Sequence, residues 1–144
     1  MTAATTSIQQ LFKQVEAAGA SFFAGDPAPI IALWSRGNDV TIFGGSGSYA
    51  QGWQAVEPRI RWAAAHFRGG RGALEPVTMG ESGDLAYTIS IERGEVQLEG
   101  SEELRPLALR VTQLYRREDG EWKIIHQHAD PIEDSVRLTH SASS

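Results

Sequence analysis

The stretch that most constrains this chain is a long hairpin near its C-terminal end, Leu107 to Arg117 turning at Glu118-Asp119-Gly120 into Glu121 to Asp130. With period 2, the first strand divides into Leu107, Leu109, Val111, Gln113 and Tyr115 on one face and Ala108, Arg110, Thr112, Leu114 and Arg116 on the other. The returning strand divides into Trp122, Ile124, His126, His128 and Asp130 against Lys123, Ile125, Gln127 and Ala129. Each face carries apolar side chains, so neither strand has a purely solvent side and the sheet must be covered twice. The expectation is a cavity under helices on one face and a partner subunit on the other.

The 144 residues suit a single domain, 1–144, with a core over about 7–132 and a tail over 133–144. Cysteine is absent, which excludes disulfides, thiolate metal sites and a cysteine nucleophile. The opening MTAATTSIQQ lacks a basic region followed by an apolar run, and no segment approaches about 18 consecutive apolar residues. The expectation is a cytoplasmic protein without a membrane partner. A net charge of −5 with no basic face argues against nucleic acid, whose binding rests on neutralising phosphates.

Ser7 and Gln10 have capping-box spacing ahead of Ile8, Leu11, Phe12, Val15, Phe22 and Phe23, predicting a helix to about Gly25. Asp26-Pro27 predicts the start of a short second helix through Trp34. Val40 to Phe43 is β-branched and aromatic, hence a strand, and the glycines after it form a loop before Tyr49. No Lys-Ser/Thr follows those glycines, so a phosphate loop is not supported, and Gly45-Ser46-Gly47 lacks the strand-to-helix context of a nucleophile elbow. Val56, Ile60, Ala63, Ala64 and Phe67 predict a third helix over Trp53 to Phe67, with Pro58 tolerable only near its first turn. Strands over Leu74 to Met79 and Leu85 to Arg93 then precede the hairpin. Helices first and strands last give an α+β fold with a mostly antiparallel sheet.

This order resembles the nuclear-transport-factor-2-like (NTF2-like) superfamily. The residues that carry the likeness are Gly25-Asp26, the short helix ending in Trp34, the Asp39-Val40-Thr41 strand and the closing RREDGEWKIIHQHAD. The nearest branch is the SnoaL-like or DUF4440 group, which includes ketosteroid isomerase-like proteins and is similar to the association domain of calmodulin-dependent kinase II. The resemblance implies a cystatin-like cone, with three helices from the N-terminal half on a curved sheet that encloses a pocket. It also implies a homodimer through the convex sheet face, here Leu109, Val111, Tyr115, Trp122 and Ile124.

Ketosteroid isomerases use an Asp base and an oxyanion hole of Tyr and protonated Asp. Those positions correspond to Gly44, Ala18 and Thr112, so that machinery is not inherited and the catalytic residues are left unassigned. The resemblance further implies pocket positions at Trp34, Arg59, Tyr87, Ile89, Ile91, Arg110, Thr112, Leu114, Ile125, Gln127 and Ala129, with His66 seven residues after Arg59 on one helical face. Arg59 and Arg110 would offer a bidentate fork to a small anion, or else pair with an internal acid such as Glu57 or Glu92 or reach the rim. His126, His128 and Asp130 share a strand face, but no third strong ligand sits at motif spacing, so no metal is expected. They stand as interface histidines, or as acid–base groups if a bulge turns the strand end. No cofactor is implied. The functional expectation is a pocket for a small, partly apolar, anionic molecule in an isomerase- or cyclase-type enzyme; the alternative is a non-catalytic binding or dimeric assembly module.

Overall fold

The computed structural model describes residues 6–45, 47–132 and 135–138. Helix α1 (Ile8–Phe23) begins at the expected box: Ser7 Oγ accepts from the Gln10 backbone N–H at 3.1 Å and Gln10 Oε1 from that of Ser7 at 2.9 Å. Two otherwise unpaired N–H groups are thereby satisfied. Asp26 Oδ1 accepts from the Ala28 N–H at 3.0 Å and opens the five-residue α2 (Ala28–Ala32). Strands β1 (Thr41–Phe43) and β2 (Tyr49–Gln51) lead to α3 (Trp53–Ala64), which runs through Pro58 and ends three residues short of Phe67. Pro58 lacks the N–H that would reach the carbonyl of Gln54, an exposed residue.

Four long strands follow: β3 (Phe67–Ser82), β4 (Leu85–Leu98), β5 (Leu104–Glu118) and β6 (Glu121–Pro131). β3 is much longer than its apolar pattern suggests, because Gly69, Gly70 and Gly72, which resemble a helix end, are paired in the ladder with β4. Close approach of the two strands requires glycine: a Cβ at Gly70 would lie 2.4 Å from the Glu95 carbonyl oxygen, and one at Gly94 of β4, opposite Gly72, 1.9 Å from that of Arg71. The six strands run in the order β2-β1-β6-β5-β4-β3, antiparallel except for β1 beside β6. The β5–β6 turn holds Asp119 at φ 52° and Gly120 at φ 80°, the two positive angles that a two-residue hairpin of matching twist requires.

The β5–β6 register contains the fold's main departure from a regular hairpin. Near the turn Tyr115 faces Ile124, but one step further Leu114 faces His126, so Ile125 is an extra, bulged residue. Trp122 and Ile124 before the bulge, and Ala129 beyond it, are therefore all buried on one inner face. On β5 the inner residues are Leu107, Val111, Gln113 and Tyr115, and on β4 Ala86, Thr88 and Ser90. The five residues expected on a dimer face thus require correction: Val111, Tyr115, Trp122 and Ile124 are buried, and Leu109 lies along the same inner row.

Two apolar clusters fill the space above that face. One joins Leu11, Val15, Trp34, Val56 and Ile60 to Tyr115, Trp122 and Ile124; the other joins Phe23 and Phe67 to Val96, Leu107 and Val136. Val136 belongs to the expected tail, yet its N–H donates to the Pro106 carbonyl at 2.7 Å and its side chain is buried. His140 and the terminal serines lie outside the described residues. No helix among the described residues is long and apolar enough to cross a membrane.

Candidate functional site

Between the helices and the inner sheet face lies a cavity of about 190 Å³. Val15, Gly19, Phe22 and Phe23 of α1 form one wall, and Arg59, Ile60, Trp62 and Ala63 of α3 another. Trp34, placed by the chain's turn out of α2, closes the space between them. The floor is Leu107, Leu109, Val111 and Gln113 of β5 with Gln127 and Ala129 of β6, and Val136 to Leu138 return across one end. An engineered apolar cavity of about 150 Å³ accommodates benzene, so this space is large enough for a small aromatic molecule.

Of the expected pocket residues, Trp34, Arg59, Gln127 and Ala129 line this cavity. Tyr87, Ile89, Ile91, Arg110, Thr112 and Leu114 do not: each alternates with an inward neighbour and belongs to the outer face. The bulge is the physical reason. A regular hairpin closing at Glu118 and Glu121 would set Thr112 opposite Gln127, whereas the extra residue sets Gln113 there. A one-residue slip moves every side chain to the other face, and β4 follows β5. Ile125 is the bulged residue itself. His66, just past α3, has Nδ1 2.8 Å from the Trp62 carbonyl oxygen and packs its ring, tilted by 58°, against that of Trp62 without lining the cavity.

Arg110 is held on the outer face by Asp130, with Nε and Nη2 each donating to one carboxylate oxygen at 2.7 Å. That pairing raises the guanidinium's pKa and lowers the carboxyl's. It also occupies the fork expected to hold an anion. His126 and His128 lie outward as well, edge-on to the Phe43 ring, and Thr41 Oγ1 is 2.7 Å from His126 Nδ1. Burial, with His128 nearby, holds His126 below its ordinary pKa. Among the described residues no three His, Asp or Glu side chains converge as a metal centre.

Three polar features remain inside. Arg59 stacks on Trp62 at 4.4 Å from the ring centroid, and burial lowers its pKa. Gln113 and Gln127 are bonded to each other, Nε2 to Oε1 at 2.7 Å, and Gln113 is joined through its own oxygen to the Tyr115 hydroxyl. Glu92 of β4 reaches the cavity with no hydrogen-bond partner among the described residues. Burial first, and the neighbouring Glu16 second, push its carboxyl up to about 7. Glu16 itself is committed to the Leu74 N–H at 2.7 Å. A side chain on the strand face opposite Ile91 is visible in the alternation, but nothing in the sequence marks Glu92 as unpaired, so its role escapes sequence reasoning.

Three helices on one face of a six-stranded mixed sheet, with a cavity between, define the NTF2-like α+β class. The model of the SnoaL-like domain matches residues 8–132, and the chain belongs to that family. Among solved structures, an NTF2-like superfamily protein from Salmonella enterica serovar Typhimurium LT2 superposes with a TM-score of 0.74 at 16% identity, covering 92% of this chain and 96% of that one. A protein from Thiobacillus denitrificans, provisionally named a calcium/calmodulin-dependent protein kinase type II association domain, gives 0.72 at 20% identity over 92% and 100%. One from Streptomyces avermitilis, provisionally named a dehydratase of the NTF2-like family, gives 0.69 at 19% over 88% and 99%. At these identities the likeness is one of fold. No match was found among curated proteins.

Proposed function

We propose that this protein binds a small, mostly apolar, uncharged molecule in the cavity and exchanges a proton with it through Glu92, as an acid–base enzyme. Glu92 carries the reading. A carboxyl that borders a largely apolar cavity, with its pKa pushed up to about 7, is populated in both protonation states at neutral pH, which is what a general acid or base requires. An anionic group is disfavoured at the Glu92 end, because Arg110 is engaged with Asp130 on the outer face and ionised Glu92 would repel it. The dehydratase name of the Streptomyces avermitilis protein is in keeping with proton-transfer chemistry.

Incubation in D2O with a panel of small neutral carbonyl and hydroxyl compounds, read by mass spectrometry, tests the reading. The expected result is deuterium uptake or water loss in one compound class, reduced at least about a hundredfold in Glu92→Gln. A Glu92→Gln protein that reacts as fast as wild type would refute it.

A second copy is the proposed partner. Leu85, Tyr87, Ile89 and Leu114 are exposed on the outer face, and register puts Tyr87 beside Leu114 and Ile89 beside Thr112. A contiguous apolar stripe of this kind favours association, so the homodimer expected from the sequence is retained on these residues. A cytoplasmic location, the expectation from the sequence, is likewise part of this proposal.

A further inference from the structure

A row of buried polar side chains crosses the inner sheet face from β4 to β6. Thr88, Gln113 and Gln127 are direct cross-strand neighbours, and Tyr115 stands two residues along β5. Thr88 Oγ1 lies 3.0 Å from the Tyr115 hydroxyl, which donates to Gln113 Oε1; Gln113 Nε2 then donates to Gln127 Oε1 at 2.7 Å. Thr88, Gln113 and Tyr115 are buried, while Gln113 and Gln127 border the cavity.

The direction of this chain follows from counting hydrogens. With Thr88 donating to Tyr115, Tyr115 to Gln113 and Gln113 to Gln127, every hydroxyl hydrogen has an acceptor. Reversed, the chain would end on the Thr88 hydroxyl, which is 1% exposed and has no other hydrogen-bond partner among the described residues. An orphaned buried donor is costly, so the forward direction holds. Burial pushes the Tyr115 phenol pKa up, so the group keeps the proton it donates. What remains over is Gln127 Nε2, which has no acceptor among the described residues.

We propose that the Thr88–Tyr115–Gln113 relay fixes Gln127 with its amide N–H toward the cavity, making it the specificity determinant for a ligand that presents a carbonyl oxygen. This rests on the cavity-binding reading and names the substrate class for it: a small neutral carbonyl compound. Gln127 and Glu92 stand two strands and four residues apart, on the order of 16 Å between Cα atoms at ordinary sheet spacings. The two groups therefore meet the ligand at different points. Tyr115 acts as a positioning residue.

Calorimetry or NMR titration with acetophenone and ethylbenzene, which share a shape and differ in the carbonyl oxygen, tests this on the intact protein. Wild type should favour acetophenone about two- to tenfold, the range of one neutral hydrogen bond. Gln127→Leu should remove the preference while leaving ethylbenzene affinity within about twofold, and Tyr115→Phe should reduce it by freeing Gln113 to turn. The infrared carbonyl stretch of bound acetophenone should lie lower in wild type than in Gln127→Leu, a signature that altered packing alone would not produce. Equal affinity of wild type for the two probes, or a preference that survives Gln127→Leu, would overturn the assignment to Gln127 and leave the cavity reading standing. Failure of both probes to bind would overturn the cavity reading and this inference together.

Discussion

Replacing Glu92 by Gln keeps the side chain's volume and removes its charge, and the consequence for stability depends on pH in a calculable way. The carboxyl moves from an ordinary value of 4.5 to about 7 on folding. A group whose pKa is raised by folding stabilises the fold fully below its unfolded value, and that contribution is lost as pH rises through the folded one. Relative to Glu92→Gln, wild type should therefore lose about 1 kcal/mol by pH 5, about 2 by pH 6 and about 3 by pH 7, with little further change above pH 8. In a domain of this length a difference of about 3 kcal/mol moves the midpoint by roughly 10 °C. Urea denaturation and thermal melts of the two proteins, from pH 4.5 to 8.5 at constant ionic strength, read the difference directly. Asp39 and Asp130, whose pKa values are lowered by Arg116 and Arg110, titrate alike in both proteins and cancel. Parallel stability curves across that range would refute the reasoning, because they would place the Glu92 carboxyl in contact with bulk water.

Leu114→Glu should halve the sedimenting mass without unfolding the chain, since Leu114 is exposed beside Tyr87; analytical ultracentrifugation checks it. Val111→Asp should instead destabilise the fold by about 3 kcal/mol or more, visible in denaturant titration, because it puts a charge at a buried position on the cavity floor. Arg110→Met should leave thermal stabilisation by cavity ligands unchanged, as Arg110 sits on the outer face with Asp130. Ser7→Ala should cost about 1 kcal/mol by removing one half of the capping box, a drop of about 3 °C by calorimetry.

The fold was legible because its signals are local. The Ser7–Gln10 box, the Asp26-Pro27 break, the Asp119-Gly120 turn and the period-2 hairpin each state their element within a few residues, and the helices-then-strands order sets the class. The cavity floor was not legible, because it depends on one extra residue. Ile125 has the same β-branched, apolar character whether paired or bulged, so period 2 runs through it without a mark. Carried across the sheet, that single step exchanges Arg110 and Thr112 for Leu109, Val111 and Gln113 on the floor, and puts Tyr87 and Ile89 outside. Trp34, Arg59 and Gln127 were found because helix and turn positions fix the first two and Gln127 lies beyond the bulge. Glu92 was visible only as an internal acid that an arginine could pair with; that it stands unpaired is a property of its surroundings, α1 above all, which supplies Gly19 and Glu16.

Ligand binding in the cavity requires that the inner face of the sheet border the ligand. Isotope-filtered NOEs from bound acetophenone to assigned methyl groups measure this most directly. Cross-peaks to Leu109, Val111 and Ala129 are the predicted result; cross-peaks confined to Ile89 and Leu114 would put the ligand on the outer face and contradict it.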